Sequence, residues 1–168
     1  TATASTIVTQ DITEPNAIAS NNGPLTCAKT TVTLTALPAT DMTYLWSNSA
    51  TTQTTNITTP GTYTVTVTGL NGCTATASTI VTQDITEPNA IASNNGPLTC
   101  AKTTVTLTAL PATDMTYLWS NSATTQTTNI TTPGTYTVTV TGLNGCTATA
   151  STIVTQDITE PNAIASNN

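Results

Sequence analysis

GTYTVTVTGLNGCTATAS, Gly61 to Ser78, is the stretch that decides the fold of this chain. Tyr63, Val65 and Val67 alternate with Thr62, Thr64, Thr66 and Thr68, the period of two expected of a strand with one buried face. Gly69-Leu70-Asn71-Gly72 follows, and its Asn-Gly pair suits the positive φ of a tight hairpin turn. Cys73, Ala75 and Ala77 then share one face of a second strand, with Thr74, Thr76 and Ser78 on the other. The stretch predicts a β-hairpin.

The same letters return at Gly134 to Ser151, and the second strand alone opens the chain at Thr1. Thr1, Thr74 and Thr147 begin copies of one unit, which repeats without a substitution. Both ends of the sequence fall inside a unit, which predicts a segment of a longer array. The expected divisions are 1–10 as the last strand of a preceding repeat, 11–83 and 84–156 as whole repeats, and 157–168 as the linker and first strand of the next. Each repeat is long enough for one small domain.

Threonine makes up close to a third of each repeat, and Phe, His and Arg are absent. Threonine and valine favour pleated, half-exposed surfaces, and no apolar period of helical spacing competes, so the chain reads as all-β. Within a repeat the expected strands are Ala17–Ser20, Thr30–Leu37, Thr43–Ser47 and Thr54–Thr58, followed by the two strands of the hairpin. Asn48–Gln53 reads as a polar connection or a short edge strand. Counted through, this gives about seven short strands with a turn every eight to twelve residues, the pattern of a β-sandwich. Trp46, with its copy Trp119, is the expected centre of each core, and Tyr63 and Tyr136 join it.

Composition excludes several functions. Ten charged side chains give a net charge of −6, and two lysines cannot supply the basic footprint of a nucleic-acid partner. No apolar run is long enough to span a membrane in this segment. With no His, no Arg and no nucleophile beside a base, the residues point away from an enzyme, and no cofactor is implied.

Cys27, Cys73, Cys100 and Cys146, one pair per repeat, point to disulfides and an oxidising, extracellular setting. Two pairings are open. The simpler joins Cys27 to Cys73 and Cys100 to Cys146, within each repeat. The other joins Cys27 to Cys146, across successive repeats stacked head to tail, and follows if the second and sixth strands run in the same direction. Bridging needs Cα atoms within ~7 Å, so geometry decides between them.

Other residues admit specific chemistry. Asp11 and Glu14, with Asp84 and Glu87 in the next copy, are candidate Ca²⁺ ligands, Asn16 and a loop near Asp41 being needed to complete the set. Lys29, the lone base of its repeat, is expected to stay solvated rather than to form an amide with an asparagine. Asn56-Ile57-Thr58 and Asn129-Ile130-Thr131 are formal glycosylation sequons. The Thr-x-Thr ladders raise an ice-binding reading, against which stands the usual twist of sheets.

Pro60-Gly61-Thr62-Tyr63 resembles the tyrosine corner of immunoglobulin-like domains, and Trp46 falls where such domains carry a core Trp. The family's inter-sheet cysteine, two residues past the Tyr, is Val65 here, so the antibody-type bridge is not expected. From Tyr44 to Ala77 the repeat is also similar to the Thr-rich tandem repeats of secreted surface adhesins from gliding Bacteroidota. That resemblance implies tandem immunoglobulin-like β-sandwiches on the cell surface, serving as a stalk or filament. The implied partners are neighbouring repeats and other copies of the chain. The alternative is a module that binds glycans or surfaces through loops such as Pro38–Met42 and Asn48–Gln53.

Overall fold

The computed structural model describes residues 2–160, which divide into two units, Thr1–Asp84 and Ile85–Asn168. In the first, β1 (Ile18–Asn21), β3 (Val32–Leu37) and β5 (Thr54–Ile57) form an antiparallel sheet in the order β1-β3-β5. A second antiparallel sheet holds β4 (Met42–Trp46), β6 (Gly61–Gly69) and β7 (Thr74–Val81) in the order β4-β6-β7. Two short strands, β2 (Leu25–Thr26) and β8 (Gln83–Asp84), pair in parallel. The second unit repeats this topology, one period later, as β9 (Ile91–Asn94) through β16 (Gln156–Asp157), with β14 (Gly134–Gly142) and β15 (Thr147–Val154) as its hairpin.

The alternation in the sequence is the alternation in the fold. Val32, Leu34 and Ala36 on β3 and Val65 and Val67 on β6 are fully buried, while their threonine neighbours face outward. Between the sheets they meet Trp46, Ile57, Leu25 and Val81, with Tyr44, Tyr63 and Ala77 packed around them. Trp46 is 1 % exposed, and its indole N–H donates to the Thr52 carbonyl at 3.0 Å. Trp119 occupies the same place in the second core.

Asn48–Gln53 is the polar connection of its two readings and not an edge strand: Ser49 takes φ 69°, and the segment is bent to meet the tryptophan, the Ala50 carbonyl accepting from the Trp46 amide. Two local expectations need correction. The hairpin turn is not carried by an Asn-Gly pair at positive φ. The Gly72 amide closes a turn on the Gly69 carbonyl, and only Gly72 lies in the left-handed region, at φ 82°. Finally, residues 2–10, expected as a strand, form none. The identical letters at 74–81 become β7 by pairing with β6, and residues 2–10 have no such strand beside them among the described residues. The first strand expected within 157–168 falls mainly outside the described residues.

Strand direction gives each unit two distinct ends. The chain enters β1 at the end that also carries the β3–β4 turn and the β6–β7 hairpin loop, here termed the entry end. It leaves through β8 at the opposite, exit end, beside the loop joining β2 to β3.

Candidate functional site: cysteines at opposite ends of each domain

Cys27 follows Thr26, which pairs with Asp84 at the exit end. Cys73 precedes Thr74, the first residue of β7, at the entry end. Extended chain separates Thr74 from Asp84 by roughly 30 Å along the strand direction. A disulfide tolerates about 7 Å between Cα atoms. Cys27 and Cys73 therefore cannot bond within one domain, and the same register separates Cys100 from Cys146.

The oxidation states agree with this geometry. Cys27 and Cys146 are disulfide-bonded, whereas Cys73 and Cys100 are free thiols. The expected bridges Cys27–Cys73 and Cys100–Cys146 are not formed. The entropy argument for closing a short loop counts residues along the chain, but strand direction decides where the ends lie.

Both settings are rigid. Around Cys27, the Thr26 amide donates to the Lys29 carbonyl and the Lys29 amide to the Thr26 hydroxyl, each at 2.9 Å. The Lys29 ammonium donates to the Asn22 carbonyl at 2.6 Å and so clamps the loop. At the entry end Asn71 serves two segments. Its Oδ1 accepts from the Cys73 amide at 3.0 Å, and its Nδ2 donates to the Thr13 carbonyl at 3.0 Å. Asn144 repeats both contacts, to Cys146 at 3.0 Å and to Thr86 at 2.9 Å. One amide thus fixes both the cysteine and the segment entering its own domain.

That segment also carries the calcium candidates. Asp11 and Glu14 line a concavity of about 270 Å³ with Asp41 and Asn71. Asp11 is held below the ordinary carboxylate value, first because its carboxylate accepts from the Thr13 amide, then through the Thr13 and Asn71 side chains. Asp84 lies in β8 and Glu87 in the segment that follows. Among the described residues no three acidic, histidine or cysteine groups gather to hold a metal.

The remaining candidates fall into place as surface and scaffold. The Tyr63 hydroxyl donates to the Thr59 carbonyl at 2.9 Å, tying β6 to the turn before it, and Tyr136 does the same with Thr132. Sequence reasoning missed a second such tie, from the Tyr44 hydroxyl to the Pro38 carbonyl at 2.6 Å. Asn56 is exposed on edge strand β5 and accepts from the Thr33 hydroxyl, while Ile57 beside it is buried. The Gln53 carbonyl accepts from the Ala36 amide at 2.9 Å, so the Asn48–Gln53 connection returns to the end of β3 from which Pro38–Met42 leaves. The threonine ladder on the outer face of β4-β6-β7 is three strands wide.

No protein-family model and no curated protein matches the sequence. Solved structures do. One, described as concerning host cell surface retention of a 1.5-MDa bacterial ice-binding adhesin, is 13% identical at a TM-score of 0.50, the match covering 89% of this chain and 66% of that one. Murine CEACAM1b is 15% identical over 86% of this chain and 100% of that one, at a TM-score of 0.39. Fibronectin(III)-like modules of Clostridium thermocellum CbhA are 11% identical over 82% of this chain and 94% of that one, at a TM-score of 0.33. Likeness at these identities concerns the fold. Each unit is an immunoglobulin-like β-sandwich.

Proposed function

We propose that the chain is a tension-carrying segment of an extracellular stalk or filament, in which successive immunoglobulin-like domains are stapled by a disulfide from Cys27 to Cys146. The observation that carries this reading is the placement of one cysteine at each end of every domain, with Cys27 and Cys146 bonded and Cys73 and Cys100 free. Chain polarity supports it. Only the short segment 85–90 lies between the exit of β8 and the start of β9. That length spans at most ~20 Å.

Surface chemistry supports the same role. Outward threonines give a hydroxyl-rich skin with few charges, which suits spacing and solubility rather than recognition of a charged partner. The resemblance to adhesin repeats and the adhesin among the structural neighbours favour a cell-surface setting, as does the disulfide.

Because the repeats are identical, ordinary peptide mapping cannot tell Cys27 from Cys100. Paired substitutions can. The variant Cys73→Ser/Cys100→Ser is expected to lose both remaining thiols on oxidation while staying monomeric. Cys100→Ser/Cys146→Ser, which leaves only Cys27 and Cys73, is expected to remain a dithiol as a monomer. The opposite pattern refutes the staple.

A further inference from the structure

We propose that Cys73 and Cys100 are open halves of the same joint. Cys100 bonds the hairpin cysteine of a following identical domain, and Cys73 bonds the loop cysteine of a preceding one. The inference rests on the Cys27–Cys146 staple and extends it to partners of the same chemistry: further copies of this repeat.

The free cysteines are held as the bonded ones are. The Thr99 amide donates to the Lys102 carbonyl and the Lys102 amide to the Thr99 hydroxyl, each at 2.9 Å, as around Cys27. The Lys102 ammonium reaches the Asn95 carbonyl at 2.6 Å, matching Lys29 and Asn22. At the other end Asn71 holds the Cys73 amide at the 3.0 Å that Asn144 gives Cys146. Bonded and free copies thus share one backbone setting, so closing the bond requires little reorganisation. Cys100 is exposed and Cys73 half-buried, so both are open to exchange.

Formation is a two-electron oxidation. Two thiols lose two protons and two electrons to a small or protein disulfide, which leaves as two thiols. One thiolate attacks that oxidant to give a mixed disulfide, and the second displaces the oxidant's sulfur to leave Cys73–Cys100.

In an array built this way each domain is bonded to both neighbours. Bonds skip from one domain to the next, and the backbone from Thr74 to Thr99 connects one bond to another. Two interleaved covalent tracks then run the length of the fibre.

The test uses two single variants, each with one free thiol beside the staple. Cys73→Ser and Cys100→Ser are incubated with oxidised glutathione, separately and mixed in equal amounts, and read by non-reducing electrophoresis and intact mass. Each alone is expected to stay at 17.1 kDa apart from glutathione adducts, and the mixture to yield a dimer of twice that mass. The unsubstituted chain is expected to give a ladder of multiples. Homodimers from either variant alone, or a mixture that remains monomeric, overturn the inference. If Cys73→Ser/Cys100→Ser keeps its two thiols under the same oxidant, the staple itself has failed. If it closes while the mixture stays monomeric, only the end-to-end inference falls.

Discussion

Pulling the oxidised chain from its two termini should produce no domain-sized extension. A freely unfolding repeat gains ~250 Å of contour at full extension, less the ~40 Å it spanned when folded, or roughly 200 Å per event. A disulfide inside each repeat would hide the stretch from Ala28 to Gly72 and reduce the event to roughly 50 Å. The Cys27–Cys146 staple instead places everything from Ala28 to Gly145, β3 through β14 among it, inside a closed ring that tension never reaches. Only short pieces outside the ring, such as β1 and β15, remain to peel away. Single-molecule force spectroscopy reads these lengths directly. With reductant, two events of the full-repeat length are expected; under oxidising conditions, none. A repeating full-length event in the oxidised chain would refute the staple, and one of the shorter length would restore the within-repeat pairing.

Four further outcomes follow from single contacts. Trp46→Ala empties the centre of the first core and should cost about 3–5 kcal/mol, unfolding that domain in urea while the second retains its own transition. Tyr63→Phe removes the hydroxyl bound to Thr59 and should lower stability by about 1 kcal/mol in the same assay, the partial exposure of the group keeping the loss small. Asn71→Ala leaves the core intact but frees the entering segment, so backbone relaxation at Thr13 should rise to that of an unrestrained coil. Acidification tests Asp11: a folded value below 3.8 means its contribution is present above 3.8 and lost as pH falls through the lower folded value. The Thr13 amide should therefore lose protection against exchange as pH falls below 3.8, while core amides keep theirs.

The core was legible from the sequence because alternation is local. Val32-Thr33-Leu34-Thr35-Ala36 and the run from Tyr63 to Thr68 state which face is buried without reference to any other strand. What escaped is what distant residues decide. Leu25–Thr26 is too short to show a period and becomes β2 only by pairing with Gln83–Asp84, far along the chain. The bend at Asn48–Gln53 answers to the indole of Trp46 and the Thr52 carbonyl. The role of Asn71 lies in its reach back to Thr13, and spacing gives no sign of that. The cysteines illustrate the point most sharply. Cys27 and Cys73 look like the ends of a loop to be closed, until β2 and β7 are seen to put them at opposite ends of a domain.

The clasp from each hairpin asparagine to the backbone ahead of its domain is amide to carbonyl, two neutral dipoles. Dissolved ions screen charges within about 10 Å at 0.1 M, yet they hardly weaken a short contact of this kind. Brine and fresh water should leave this seat equally firm.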